Sequence, residues 1–265
     1  MTTLREPVGR ALDVLAWMAD HQSQPLGVRQ IARDLDTSPS TIHRILATFQ
    51  QRQLVARGHN GEYVIGLELY RICAVIASEL SLGRIVHPRL QQLTSDCSET
   101  TLFGTYDSGR GQMMFIDRVE ALHPLRYVVD LHRWLPLHAG ATGLAILAYL
   151  PEEERQRIYS AGLDALTPAT IVSAADLEKE LEQVRRRGYA LSMNQRVQGA
   201  VGFAAPVFDS TGMVCGDMCV TLPEQRFQAG KFADSLAATL MTAAAQVTDD
   251  LKIVAYRAAA HVSAD

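Results

Sequence analysis

The stretch SPSTIHRILATFQQ, residues 38–51, constrains the fold more than any other part of the chain. Ser38 offers a hydroxyl to cap a helix, and Pro39 takes the first helical position, where its missing N–H costs nothing. Ile42, Ile45, Leu46 and Phe49 then recur at the spacing that draws one apolar stripe. A helix capped so firmly and apolar on a single side must lean on other elements. Opposite the stripe fall Ser40, Arg44, Ala47 and Gln51, with Thr41, His43 and Thr48 on its flanks.

The neighbours supply what it leans on. Pro7 suits a helix start, and Leu12, Leu15, Ala16 and Ala19 recur at i, i+3, i+4 and i+7, which predicts a helix over 7–20 packed through those four residues. The segment HQSQPLG interrupts it. Val28, Ile31, Ala32 and Leu35 repeat the spacing over a short second helix, and a turn follows at Asp36 and Thr37. Downstream, residues 54–57 and 62–65 flank His59, Asn60 and Gly61, the pattern of a hairpin with a turn-forming tip. Helix, short helix, tight turn, capped helix and hairpin, in that order within residues 1–66, make a winged helix-turn-helix. The order disfavours the alternative, a three-helix packing module whose polar face only meets water.

The exposed side of the third helix has the chemistry of a major-groove reader. A slim helix enters the groove, arginine bonds a guanine edge twice, and Ser or Thr holds phosphates or bases. Ser38, Ser40, Thr41, His43 and Arg44 are therefore the candidate DNA contacts on this helix, with Arg57 in the wing placed to meet phosphate. The formal net charge of −4 excludes only a cationic protein that coats DNA without regard to sequence. Across residues 1–66 seven arginines oppose six acids, and a specific reader needs positive charge at a patch rather than over a whole domain.

Behind the reader, 265 residues leave room for a second domain. Residues 67–81 read as a linker or dimerisation helix, 82–257 as a second globular domain, and 258–265 as a disordered tail. Within the second domain a helix is predicted over 82–95. TTLFGTYD and GQMMFIDRV follow as an antiparallel pair divided by Ser108, Gly109 and Arg110, and LRYVVD as another strand. HAGATGLAILAYL, PEEERQRIYSAG and residues 174–187 read as helices, VGFAAPVF and MVCGDMCVT as a hairpin, and 227–256 as a long alanine-rich helix. The product is a mixed sheet with helices, able to leave a ligand pocket under a loop.

VGRALDVLAWMA, VRQIARDLDTSPSTIHRILATFQQRQLV and GEYVIGLEL, together with PLHAGATGLAILAYLPEEE, RRRGYAL and GAVGFAAPVFDSTGMVCGDMCVTLP, resemble the IclR family of bacterial transcriptional regulators from about Val8 to Phe227. The resemblance implies an α+β protein of two domains: an α-rich winged helix-turn-helix, then a linker helix and a GAF/profilin-like α/β effector-binding domain with a mixed antiparallel sheet. It also implies dimers that often pair into tetramers, double-stranded operator DNA as one partner and a small-molecule effector as another, with no cofactor or metal. Carried over by position, it puts Ala141 and Thr142 where a helix start meets the effector, Tyr127 and Leu135 at apolar pocket positions, and Ser192, Gly202, Cys219 and Thr221 at polar or shape-setting ones.

The chain also departs from the family pattern. Many relatives carry acids after their Gly-Tyr pair, where this chain has Leu191, Ser192, Met193, Asn194 and Gln195. Losing those carboxylates lessens repulsion of an anionic effector and favours an apolar or aromatic one, so the expected effector is a small aromatic or carboxylate catabolite.

Three rival readings stand beside this one. An enzyme built from His123, His132, His138, Asp117 and the cysteines lacks every common catalytic motif. A redox or zinc site at Cys215 and Cys219 draws on a strand spacing that points both side chains to one face, but their neighbourhood lacks an obvious ligand partner. A sensor acting only through protein partners leaves the capped helix and hairpin without a purpose. The four cysteines fit no disulfide framework or paired zinc signature and read as buried thiols. With no secretory signal and no apolar run near ~20 residues, the expected compartment is the cytoplasm.

Overall fold

A computed structural model describes residues 6–21, 27–58, 61–79, 82–127 and 129–262. The chain divides into two compact units, Met1–Leu80 and Ser81–Asp265.

The first unit holds α1 (Pro7–Asp20), α2 (Val28–Asp34), α3 (Pro39–Gln51), the antiparallel pair β1 (Val55–Arg57) and β2 (Tyr63–Ile65), and α4 (Leu67–Glu79). Ser38 caps α3, its Oγ accepting the Thr41 N–H at 3.2 Å. Ile42, Ile45, Leu46 and Phe49 are all buried, as the spacing requires, against Ile31 and Ala32 of α2 and against Val55 and Tyr63 of the hairpin. The hairpin is a true two-stranded ladder, while its expected tip residues His59 and Asn60 lie outside the described residues.

The packing face of α1 is not the one its periodicity suggested. Val14, Trp17 and Met18 are buried, whereas Leu12 is 59% exposed and Ala16 and Ala19 face outward. Two apolar stripes compete on this helix, and the one carrying the larger side chains gains more by burial, at ~25 cal/mol per Å² removed from water. Trp17 is then fixed by its Nε1, which donates to Asp34 at 3.1 Å. At the end of the wing the chain passes so close to itself that a Cβ on Gly66 would lie 2.1 Å from the Gln53 carbonyl oxygen, so only glycine lets α4 start there.

The second unit is a six-stranded antiparallel sheet in the order β5-β4-β3-β8-β7-β6, built from β3 (Thr100–Asp107), β4 (Gln112–Val119), β5 (Leu135–Pro136), β6 (Ala190–Met193), β7 (Ala200–Phe208) and β8 (Val214–Pro223). On one face lie α6 (Ala141–Leu147), α7 (Glu152–Ser160) and α8 (Ala174–Arg187), packed through Leu144, Leu147, Ile158, Leu177 and Leu181 against Leu102, Phe115 and Ala204. On the other lie α5 (Leu82–Cys97) and α9 (Lys231–Val262), whose Leu90, Leu93, Leu236 and Leu240 meet Phe103, Phe203, Met218 and Val220. Helices on both faces explain why strands β7 and β8 are apolar nearly throughout rather than alternating.

Several elements differ from the sequence reading. LRYVVD, residues 125–130, forms no strand among its described residues. Instead Arg118 donates to its Val129 carbonyl, its own Tyr127 Oη donates to the Gln198 carbonyl at 3.1 Å, and the sheet edge is taken by Leu135–Pro136. Strand β6 was not foreseen, because four residues after Gly188 give too short a pattern. Helix α9 continues to Val262, so residues 258–262 of the expected disordered tail are helical, and 263–265 lie outside the described residues.

Cys215 is the extra residue of a β-bulge. Gly216 pairs with Val207 and Val214 with Phe208, leaving Cys215 between them without a partner position. The bulge breaks the alternation, so Cys215 packs toward the α5–α9 side while Cys219 belongs to the core under α6. The expectation that a spacing of four places both thiols on one face is therefore corrected.

Candidate functional site

On α3 the buried stripe leaves Ser38, Ser40, His43 and Arg44 exposed and Thr41 half-buried. Ser38 Oγ lies 3.0 Å from Ser40 Oγ and 2.8 Å from Thr41 Oγ1, a hydroxyl cluster at the helix N-terminus, where backbone N–H groups also point outward. In the wing, Arg57 lies 5.2 Å from the centre of the Tyr63 ring and donates to its hydroxyl at 3.3 Å, so it is held on an aromatic base and still exposed. Arg10, Arg29, Arg33, Arg44, Arg52 and Arg57 form no ion pair among the described residues. The near-neutral balance of this unit therefore hides cationic side chains free to meet phosphate.

In the second unit a cavity of about 300 Å³ opens between α6, the sheet and the segments around 127–135 and 192–202. All eight residues named from sequence line it: Tyr127, Leu135, Ala141, Thr142, Ser192, Gly202, Cys219 and Thr221. Gly202 lets α6 approach the sheet, since a Cβ there would come within 3.2 Å of the Ala141 Cβ. Leu102, Phe115 and Val129 complete an apolar wall.

Sequence reasoning missed the cavity's charge. Arg196 lines the wall, its Nε and Nη2 donating to the Ala139 carbonyl at 3.1 and 2.9 Å and Nη2 to the Pro136 carbonyl at 3.4 Å, with its guanidinium 5.9 Å from the centre of the Phe115 ring. Burial lowers its pKa, against the opposing pull of Cys219 and Asp217. No ion pair holds Arg196 among the described residues, so an anion in the cavity would meet a cation poor in counter-charge. An arginine in a loop of mixed polarity carries no periodic signal, which is why the sequence did not single it out.

Behind Thr142 and Cys219 lies Asp217, fully buried, with neither carboxylate oxygen hydrogen-bonded among the described residues. Burial pushes its carboxyl up to about 8; Thr142 and Arg196 are near enough to oppose that rise, though neither forms a well-made bond to it. Gly104 makes the space, because a Cβ there would lie 2.2 Å from Asp217 Oδ1. Burial likewise raises the Cys219 thiol to about 12 and the Cys215 thiol to about 11, so neither is a ready nucleophile. The residues considered for catalysis are scattered: Asp117 meets His87 of α5 at 3.0 Å, and His138 donates from Nε2 to the Asp164 carbonyl at 2.8 Å. Among the described residues no group of three or more His, Cys, Asp or Glu is arranged to hold a metal, and no helix is long and apolar enough to cross a membrane.

Residues 7–59 match the IclR helix-turn-helix domain, and residues 74–249 match the family described as bacterial transcriptional regulator IclR C-terminal. The chain belongs to the IclR family. Among IclR-family proteins it is 30% identical over 241 residues to the transcriptional repressor IclR of Escherichia coli strain K12, covering 90% of this chain and 87% of that one. Its fold superposes on an IclR-family regulator from Alicyclobacillus acidocaldarius with a TM-score of 0.83 at 23% identity, covering 92% of this chain and 97% of that one. An IclR homologue from Microbacterium hydrocarbonoxydans, solved in complex with 4-hydroxybenzoate, superposes with a TM-score of 0.80 at 21% identity, covering 94% and 100%. The chain is thus a transcriptional regulator with a DNA-binding helix-turn-helix and an IclR effector domain, in a family of regulators rather than enzymes.

Proposed function

We propose that this regulator works in the cytoplasm as a homodimer, or a tetramer of paired dimers, whose readers bind the two halves of a pseudopalindromic operator and whose affinity for it is set by a small aromatic or aliphatic carboxylate. Phosphate contacts from the exposed arginines and from Arg57 set the register, and α3 reads base edges through Arg44, helped by His43, Ser40, Thr41 and Ser38. The observation that carries the reading is the division of α3 into a fully packed stripe and a face bearing an exposed Arg44 free of ion pairs among the described residues.

The effector sits in the 300 Å³ cavity, its apolar body against Leu102, Phe115, Tyr127 and Leu135 and its carboxylate toward Arg196, while Ser192, Thr142 and Thr221 supply hydroxyls. The 4-hydroxybenzoate held by the Microbacterium homologue has this chemistry, an aromatic ring with a carboxylate. Such a ligand alters operator affinity only through unequal binding to the DNA-ready and DNA-incompetent assemblies, and α4 carries the difference to the readers. Gel-shift assays on the promoter beside its own gene, with and without a panel of aromatic acids, keto acids and sugars, test both halves. Retardation that responds to an acid supports the reading, and footprinting with polymerase then gives the sign of regulation. Failure of the wild type to retard the promoter rejects the DNA half, and a response to sugars alone rejects the carboxylate.

A further inference from the structure

A second cavity, of about 540 Å³, lies in the effector domain at the β4–β5 edge of the sheet. Arg110 reaches it from the β3–β4 turn, Arg157 and Ile158 from α7, Leu137 and His138 from the segment after β5, and Asp164 from the loop after α7. It is larger than the cavity under α6 and is lined by two exposed arginines, Arg110 and Arg157, where the other is lined by the buried Arg196 and by Arg133, which pairs with Asp130.

Both guanidiniums have donors to spare. That of Arg110 lies 4.8 Å from the centre of the Trp134 ring and takes no hydrogen bond or ion pair among the described residues. Arg157 donates through Nη2 to the Ser108 carbonyl, forms an ion pair with Glu154 at 3.5 Å and lies close to the Tyr106 hydroxyl, while its charge remains exposed to the cavity. Arg157 also stands over the same turn, since a Cβ on Gly111 would be 3.6 Å from its Nη2. Two carboxylates stand nearby: Glu154, which accepts the Tyr106 hydroxyl and remains a counter-charge to Arg157, and Asp164, which is exposed and offers its backbone carbonyl inward, to the buried His138.

We propose that this cavity binds a small organic dianion, a short dicarboxylate or a phosphate monoester, at a site separate from the effector cavity. Two forked cations with unused donors match two anionic oxygen pairs, or the three oxygens of one phosphate, and Leu137 with Ile158 gives a short apolar body a surface to rest on. The segment 135–138 is a wall common to both cavities: Leu135 lines the first, Pro136 and Leu137 the second, and Arg196 holds the Pro136 carbonyl from the effector side. Occupancy of one cavity therefore bears on the shape of the other, a consequence that rests on the effector reading, whereas the binding itself does not.

Calorimetric titration of the full-length protein at low ionic strength with succinate, glycerol 3-phosphate and inorganic phosphate tests the site. Saturable binding of at least one probe is expected, with Arg110→Gln and Arg157→Gln each weakening it ~10-fold or more, as removal of a charge-assisted contact should. Arg186→Gln, on the solvated side of α8, makes the same change of charge and is expected to bind as wild type. The preferred probe distinguishes a carboxylate from a phosphate ligand. No saturable binding, unaltered binding in both cavity variants, or an equal loss in Arg186→Gln overturns the proposal, and none of these touches the response of operator binding to aromatic acids.

Discussion

Arg196 donates twice to the carbonyl oxygen of Ala139, from Nε and from Nη2, and so clamps the backbone just before α6 while its charge lines the cavity under that helix. One side chain thus builds the wall and supplies the field inside it. Replacing it by methionine, of similar apolar length but without charge or donors, is expected to weaken binding of an effector carboxylate ~10- to 100-fold in calorimetry. The amide of the same acid should lose far less, and equal losses for acid and amide would show that Arg196 only holds the wall.

Arg44 stands on the outer face of α3 with no ion pair among the described residues, so its removal leaves packing intact. Arg44→Ala should cost ~1–3 kcal/mol of operator affinity and relax the preference at one base position. Gel shifts against operators varied one base pair at a time measure both quantities. A uniform loss across all variants would assign Arg44 to phosphate instead.

Ser38 closes the first turn of α3 by accepting the Thr41 N–H. Ser38→Ala leaves that donor to water and is expected to lower the stability of the reader by ~1 kcal/mol, within the range of ~0.5–2 for such caps. Urea denaturation followed by far-ultraviolet dichroism reads the change, and Ser38→Asp, which keeps an acceptor at the cap, should recover most of it.

The buried Asp217 makes stability depend on pH in the sense opposite to an ion-paired carboxylate. Its folded value is raised to about 8 from an ordinary 3.8, so between those limits the native state holds a proton that the unfolded chain releases. Its contribution is fully present below pH ~4, declines as pH rises, and is lost by pH ~8. Asp217→Asn, which cannot ionise, should flatten the fall in urea midpoint between pH 5 and 8 and raise stability at the upper end. A variant with the wild-type slope would assign the dependence to other groups.

Cys73 is exposed on α4, whereas burial raises the thiols of Cys97 and Cys215 to about 11 and that of Cys219 to about 12. Iodoacetamide at pH 8 should label Cys73 alone in the native protein and all four cysteines after denaturation. Mass spectrometry of the digests counts them, and native labelling of Cys219 would falsify its burial.

Much of the reader was legible because its signals are local. The Ser38 cap, the Pro39 start and the stripe from Ile42 to Phe49 each follow from residues a few positions apart, and the hairpin from the turn chemistry between Arg57 and Tyr63. In α1 the same rule pointed to the wrong face, since spacing alone does not weigh Trp17 and Met18 against Leu12 and Ala16. The cavity positions at Ala141, Thr142, Cys219 and Thr221 came through the family resemblance rather than through spacing. Arg196 and Asp217 escaped both routes, because what matters about them is burial without an ion pair among the described residues, a property of the folded sheet that no neighbour in sequence announces.

The unpaired position at Cys215 acts on strand β8 much as an inserted base acts on a reading frame. Upstream of it Val214 serves the α6–α8 core, and downstream that duty passes to the odd-numbered residues, so that Cys219 and Thr221 meet the cavity while Met218 and Val220 fill the opposite layer. Deleting the one cysteine would restore strict alternation and put strand and lining out of phase on one side of the gap. The lining of the cavity under α6 is thus set by residue count as well as by residue kind.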